Sequence, residues 1–240
     1  MKERYGVDSA ARANVGLTNS SLKLYDHITQ NMGRTPSFWG RYLTTQPGTS
    51  FGLTNENNGI FTSTGEASYL HEKGCSVLLI DNRETGKRSS ATDGENHAKK
   101  AILAAQALGV PYGTTIFLDI EANITTKSAY MNAYRQTLEN GRLCSCPYYT
   151  LGIYTSSSWV SHINAAFDCA YRPMYIAQYR GDTSIFPGWD EAPNISAGNE
   201  VIWQHKGGTP GEYAVQTLEG EAGVDLNVVP NSTVILNHMW

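Results

Sequence analysis

An α/β fold, a single (β/α)8 TIM-like barrel, is the class this sequence predicts, and three observations carry it. Strand-like and helix-like segments alternate from end to end, with no linker and no shift in composition. The clearest strand-like run, Val77-Leu78-Leu79-Ile80, is too apolar for a sheet with one wet face and suits a parallel strand covered on both sides. The 240 residues also match the ~250 typical of such barrels, so 1–240 reads as one domain. A doubly wound open sheet is the competing architecture, but the chain has neither G-x-G-x-x-G nor a P-loop.

The elements follow in order. Arg4–Asp8 is the first strand, followed by a helix over Ser21–Asn31, and Ser37–Leu43 is the second strand. A helix over Gly65–Lys73 is expected to be capped by Ser63 or Thr64 and stopped by Gly74. Ser76–Asp81 is the third strand. The helix after it has Asp93 as its expected cap, an apolar face of Ala98, Ala101, Ile102, Ala105 and Leu108, and Gly109 with Pro111 at its end. Thr115–Ile120 is the fourth strand, Ser128–Asn140 the helix that Gly141 closes, and Tyr149–Tyr154 the fifth strand, with a helix near Ser158–Ala166. Pro173–Gln178, Val201–Gln204 and Gly223–Asn227 complete the eight. The last connections are rich in Gly, Pro and Asn, so their helices are expected to be short or missing.

Composition narrows the function. Hydrophobic residues make up 40% and charged residues 17%, with a net charge of −4 and a pI near 5.9, which argues against a nucleic-acid partner held by bulk electrostatics. No apolar run is long enough to span a membrane, so no membrane partner is expected. The opening Met1-Lys2-Glu3-Arg4 lacks an apolar signal region. The expectation is a protein that stays in the cytoplasm, leaves by a route that needs no such signal, or lacks its leader. Cys144-Ser145-Cys146 has the wrong spacing for a zinc knuckle. Cys75, Cys144, Cys146 and Cys169 fall near strand starts, where a disulfide from Cys169 to Cys144 or Cys146 and free buried thiols are equally expected.

In a barrel of this kind the chemistry lies at the C-terminal ends of the strands. The fourth strand ends Phe117-Leu118-Asp119-Ile120-Glu121. Side chains alternate along a strand, so Asp119 and Glu121 point the same way, roughly 6.5–7 Å apart. That separation suits carboxylates flanking a scissile sugar bond, and partial burial would raise the pKa of the one acting as acid. The other strand ends add Asp8, Arg41 with Tyr42, Asp81, Tyr154, Gln178 with Tyr179, Gln204 with His205, and Asp225 with Asn227. Carboxylates and amides bond sugar hydroxyls, and aromatic rings stack on their C–H faces. Tyr42, Tyr154, Tyr179 and Trp203 are the aromatic candidates. The histidines form no H-E-x-x-H, and no serine lies in a G-x-S-x-G elbow.

These residues carry a resemblance. Tyr5-Gly6-Val7-Asp8-Ser9, Phe117-Leu118-Asp119-Ile120-Glu121, Gly152-Ile153-Tyr154-Thr155, Tyr175-Ile176-Ala177-Gln178-Tyr179, Trp203-Gln204-His205 and Gly223-Val224-Asp225-Leu226-Asn227 occur in order across most of the chain. The sequence resembles the family 25 glycoside hydrolases (Chalaropsis-type lysozymes) and the related glycoside-hydrolase-like domains of uncertain activity. Phe38–Leu43 and the stretch from Ala98 to Pro111 are more similar to the latter. Asp81-Asn82-Arg83 lies outside the lysozyme pattern.

The resemblance implies a β-1,4 muramidase acting on peptidoglycan or a related amino-sugar polysaccharide outside the cytoplasm, with no cofactor. Glu121 would be the acid and Asp119 its assistant, stabilising the oxocarbenium or orienting the substrate's N-acetyl group. Asp8, Arg41, Tyr42, Asp81, Tyr154, Gln178, Tyr179, Gln204 and Asp225 would bind substrate. The expected protein partner is a delivery or wall-targeting module, or an inhibitor. Two other readings stay open: a catalytically inactive glycan-binding barrel, and a metal-dependent hydrolase using Asp8, Asp81, Asp119 and Asp225 through oxygen ligands.

Overall fold

The computed structural model describes residues 3–44, 65–82, 89–121, 128–140, 149–166, 172–179, 185–188, 192, 201–207, 213–230 and 237–240. Among the described residues nine strands form one sheet in the order β1-β2-β3-β4-β5-β6-β7-β9-β8, and a further β1–β9 pairing closes the first eight of these strands into a barrel. The strands are β1 (Glu3–Ser9), β2 (Phe38–Thr44), β3 (Ser76–Asp81), β4 (Thr115–Asp119), β5 (Thr150–Ser156), β6 (Met174–Ala177), β7 (Val201–Lys206), β8 (Ala214–Thr217) and β9 (Gly220–Pro230). Helices α1 (Leu24–Met32), α2 (Glu66–Glu72), α3 (Ala91–Ala107), α4 (Ser128–Asn140) and α5 (Val160–Ala166) fall between the first six strands. A barrel of mixed strands and helices is therefore what the alternation predicts and what the chain forms.

The last strand departs from the all-parallel expectation. β1 to β7 run parallel, but β9 is antiparallel to both neighbours, β7 and β1. A parallel return needs a crossover of a dozen or more residues, usually helical. Here the hairpin strand β8 takes that stretch, pairing with β9 from Ala214↔Gly223 to Thr217↔Gly220. Gly220, at φ 113°, makes the turn that a residue with a side chain would resist. Asp225 still reaches the mouth, because the antiparallel register pairs it with Asp8 near the end of β1.

Two end signals also differ in detail. Helix α3 is capped by Ser90 rather than Asp93: Ser90 Oγ accepts the Asp93 backbone N–H (3.1 Å) and donates to Asp93 Oδ2 (2.6 Å). Asp93 thus sits at the third helical position, where its carboxylate accepts the capping hydroxyl rather than capping the helix itself. The residue that caps α2 is Gly65, without a side-chain hydrogen bond, and Ser63 and Thr64 lie outside the described residues, as does Gly141. Cys75 is a free, buried thiol whose pKa burial pushes up to about 12, while Cys144, Cys146 and Cys169 lie outside the described residues.

The core has two layers. Inside the barrel, Phe38, Leu78, Ile80, Phe117, Tyr175, Ile202 and Val229 pack together. Room for those rings comes from small inward residues: a Cβ on Gly152 would lie 2.6 Å from the Phe117 ring. Outside, the alternate residues of the same strands join the helices in a larger cluster, with Trp39, Leu79, Leu118, Ile153 and Trp203 against residues such as Leu24, Leu70, Ala101 and Tyr134. Strand parity thus decides which polar strand-end residues reach the mouth.

One outer-layer group is ionic. Arg41 donates from Nε to Glu66 Oε1 (2.7 Å) and from Nη1 to the carbonyls of Ser9 and Ala10 (2.7 Å each), and Glu66 Oε1 also accepts the Ala13 N–H (2.7 Å). Both side chains are buried, so the pair ties β2, α2 and the segment after β1 together. Arg41→Met leaves a buried carboxylate without its cation, a change that typically costs about 3–5 kcal/mol. Urea unfolding is expected to register that loss.

His205 alternates with Gln204 on β7 and lies fully buried beside Trp203, 5.4 Å between ring centroids. Burial, with a smaller contribution from Lys206, lowers its pKa to about 4 from an ordinary 6.5. The folded state therefore favours the neutral ring, so His205 leaves stability intact above pH 6.5 and erodes it as pH falls towards 4. Replacing it with Phe removes that dependence. Between pH 7 and 4, His205→Phe is expected to lose about 3 kcal/mol less stability than the wild type in matched denaturation curves.

Candidate active site

The C-terminal mouth of the barrel gathers its polar residues from seven strands. Asp8 lies on β1, Tyr42 on β2, Asp119 at the end of β4 with Glu121 just beyond, Tyr154 on β5, Tyr175 on β6, Gln204 on β7, and Asp225 and Asn227 on β9. Tyr179 follows β6. Close approach on β2 makes space for Asp8, since a Cβ on Gly40 would lie 2.5 Å from the Asp8 Cβ.

Gln204 is the hub. Its Nε2 donates to Asp8 Oδ1 (3.0 Å) and Oδ2 (3.1 Å) and to Asp225 Oδ2 (2.8 Å). Its Oε1 accepts the Tyr154 hydroxyl (3.0 Å), which fixes the amide with its NH2 towards the two acids. At 0% exposure this amide is fully engaged, so Gln204 holds carboxylates in place rather than presenting donors to a ligand. Asp8 Oδ1 also accepts from Asn227 Nδ2 (2.8 Å) and from the Tyr175 hydroxyl, which lies 2.9 Å from Asn227 Oδ1 as well. Asp225 accepts the Tyr179 hydroxyl (3.0 Å).

Burial raises the Asp8 pKa to about 7, the Asp225 charge adds to the rise, and hydrogen bonds from Tyr175, Asn227 and Gln204 oppose it. The phenols of Tyr42, Tyr154, Tyr175 and Tyr179 are pushed well above the ordinary tyrosine value, first by burial and then by neighbouring carboxylates. All four stay protonated and able to donate. The charge of Glu121 is among those felt by Tyr42, Tyr154 and Tyr179, so its carboxylate faces this same mouth.

The structure brings together most of the residues that the sequence singled out, but not all. Arg41 and Asp81 have outward parity. Arg41 is committed to Glu66, and buried Asp81 accepts the Tyr134 hydroxyl of α4 at 2.6 Å. Neither reaches the mouth, which removes Asp81 from the acidic set that a metal-dependent reading would use. Among the described residues no three His, Cys, Asp or Glu side chains form a group that could hold a metal ion. Trp203 also faces outward, its indole N–H donating to the Gln178 carbonyl at 3.0 Å. Gln178 otherwise contributes its N–H, which donates to the Gln204 carbonyl at 3.0 Å.

The partial burial expected of the acid pair is divided unevenly. Asp119 is 2% exposed, whereas Glu121 is exposed to solvent. Of the aromatics, Tyr154 packs edge-on against Tyr175, 4.7 Å between centroids, and Tyr179 is 56% exposed at the rim. Tyr175 is the residue that the sequence did not single out, whereas Asn227 is read there as a polar strand end beside Asp225 but given no role in binding.

Comparison with known proteins places this site in context. No curated protein matches the chain. An uncharacterized protein of B. stearothermophilus has a similar solved structure, at 23% identity and a TM-score of 0.63, covering 99% of this chain and 100% of that one. The Tat-secreted protein Rv2525c of Mycobacterium tuberculosis is similar at 18% identity and a TM-score of 0.55, covering 95% of each chain. GHIP, a glycosyl hydrolase 25 of Streptococcus pneumoniae, is similar at 16% identity and a TM-score of 0.57, covering 98% of this chain and 90% of that one. At these identities the likeness is one of fold. A family model, Rv2525c-like, glycoside hydrolase-like domain, matches residues 35–229, and the chain belongs to that family.

Proposed function

We propose that the protein is a peptidoglycan-degrading glycosidase of muramidase type, hydrolysing the β-1,4 bond between N-acetylmuramic acid and N-acetylglucosamine. The observation that carries the reading is the Asp119/Glu121 pair, set at the end of one strand and facing a mouth that also holds Asp8 and Asp225. The pair's separation of roughly 6.5–7 Å along the strand leaves room for water or for the substrate's own N-acetyl group between acid and scissile carbon. On this reading Glu121, reachable from solvent, protonates the glycosidic oxygen. Asp119, buried below it, stabilises the positive charge that develops on the sugar ring or aligns the N-acetyl oxygen.

Around the pair, Tyr42 and Tyr154 keep their phenol protons and line the walls, while the exposed Tyr179 would stack on a pyranose. Asp225, a hydrogen-bond acceptor at the mouth, would bind sugar hydroxyls. The action is placed outside the cytoplasm, where peptidoglycan lies, and delivery is assigned to a wall-targeting module or an export system. The Tat-secreted relative is consistent with this placement. The other reading, a barrel that binds glycan without cleaving it, gains support from one observation: Glu121 is exposed and so lacks the burial that usually poises a general acid.

Digestion of purified peptidoglycan separates the two. Reduction of the products with borohydride followed by mass spectrometry is expected to give reduced N-acetylmuramic ends. Glu121→Gln should lower the rate by about 10²–10⁴. Reduced glucosamine ends would keep the glycosidase and change the bond, and no products from several wall types would leave glycan binding.

A further inference from the structure

The Asp8 carboxyl poses a problem of hydrogen-bond accounting. Its Oδ1 is approached by three donors, Tyr175, Asn227 and Gln204, an arrangement suited to an ionised group. Yet Asp8 lies beside a second carboxylate, Asp225, in the base of a mouth that Asp119 and Glu121 also face. Such crowding of like charge favours a protonated acid. An acid that only accepted hydrogen bonds would have no place for its own proton.

Tyr175 supplies that place. Its hydroxyl lies within hydrogen-bond reach of two acceptors, Asp8 Oδ1 and Asn227 Oδ1 (2.9 Å), and a phenol has one proton to give. With Asp8 ionised, the phenol donates to Asp8. With the phenol proton turned to Asn227, a Tyr175 oxygen lone pair faces Asp8 Oδ1 instead.

We propose that Asp8, Tyr175 and Asn227 form a rotary relay, through which Asp8 takes up and releases a proton while its hydrogen bond to the Tyr175 oxygen is kept. The balance is simple. A proton from solvent or substrate binds Asp8 Oδ1 and is donated to the Tyr175 oxygen, while the phenol O–H, never broken, swings to Asn227 Oδ1. Asn227 Nδ2 continues to donate to Oδ1, and Gln204 Nε2 keeps its bonds to Asp8 Oδ2 and Asp225 Oδ2. The Asp8–Tyr175 hydrogen bond is kept in both states, and Asn227 Oδ1 takes the phenol proton only when Asp8 is protonated.

The groups that face Asp8 set the conditions. They are Tyr42 from β2, Asp119 at the end of β4 with Glu121 just beyond it, Tyr154 from β5, Tyr175 and then Tyr179 from and after β6, Gln204 from β7, and Asp225 and Asn227 from β9. The rise of the Asp8 pKa to about 7 puts the exchange in the neutral range. The phenol of Tyr175 itself, pushed far above the ordinary value, rotates but does not ionise. In a glycosidase this makes Asp8 a proton store beside Glu121 and Asp119, with Tyr175 as its positioning residue. That use rests on the hydrolase reading, whereas the relay does not.

The test is an NMR titration of the whole chain labelled with 13C at Asp Cγ and Tyr Cζ, followed between about pH 4 and 9, a range bracketing the ordinary and the raised carboxyl values. Asp8→Asn and Tyr175→Phe assign the two signals independently, so either variant suffices if the other does not fold. The expected result is an Asp8 carboxyl midpoint in the neutral range, and a Tyr175 Cζ shift that moves with the same midpoint although the phenol stays protonated. In Tyr175→Phe the Asp8 midpoint should rise, because the ionised form loses a donor, and the neutral limb of the kcat/KM profile should move with it. A flat Tyr175 signal while Asp8 titrates, or an Asp8 midpoint in the ordinary carboxylate range, overturns the relay whatever the activity. A coupled titration with no digestion of peptidoglycan upholds the relay and removes its catalytic use.

Discussion

The seven-residue antiparallel ladder between β1 and β9, from Glu3↔Pro230 to Ser9↔Val224, is the constraint on which the rest depends. It closes the sheet on itself, which leaves these two strands no free edge and encloses the inner cluster around Phe38, Phe117 and Tyr175. Its register also fixes the chemistry. Asp8 pairs with Asp225, and Gly6 with Asn227, so the polar residues of the two strands meet at one level of the barrel. A slip of β9 by one residue would turn Asp225 and Asn227 to the outer layer and leave Asp8 without either partner.

Bringing Asp8 and Asp225 together costs free energy that must be recovered locally. The Gln204 amide does much of this, since one nitrogen donates to both acids and its oxygen is held by Tyr154. Hydrogen bonds to a charged group contribute about 1.5–3 kcal/mol each, and Asp8 collects several. Beneath them, Tyr175 rests edge-on against Tyr154 and Phe117, so the network stands on the apolar floor of the barrel. Behind the mouth, the buried Arg41–Glu66 pair anchors the segment that leaves β1 directly after Asp8. Stability and site geometry are thus tied to the same few residues, as membership in a glycoside hydrolase-like family allows without requiring catalysis.

Much of this was legible in the sequence for definite reasons. Apolar runs such as Val77–Ile80 and the alanine-lined face of α3 state their own periodicity, and the barrel follows from their alternation. The Asp119-Ile120-Glu121 alternation could be placed on one face because a strand has period two. Harder to read were residues whose parity depends on where the inward set begins. Arg41 and Tyr42 are adjacent at the end of β2, yet only Tyr42 turns inward, because Phe38 and Gly40 occupy the inward positions below it. The same holds for Asp81, which follows inward Ile80 and so meets Tyr134 of α4.

Local pattern therefore determined the class of fold, the order of the elements and the pair of acids at the end of β4, since each rests on residues near in sequence. Long-range pairing decided the direction of β9, the side to which each strand-end residue points and the burial of Asp119 beneath an exposed Glu121. It also made Gln204 a clamp. Asp8 and Gln204 are separated by 196 positions, and no periodicity can announce that an amide on one strand will hold the carboxylate of another. Contacts of that kind exist only once the barrel has closed.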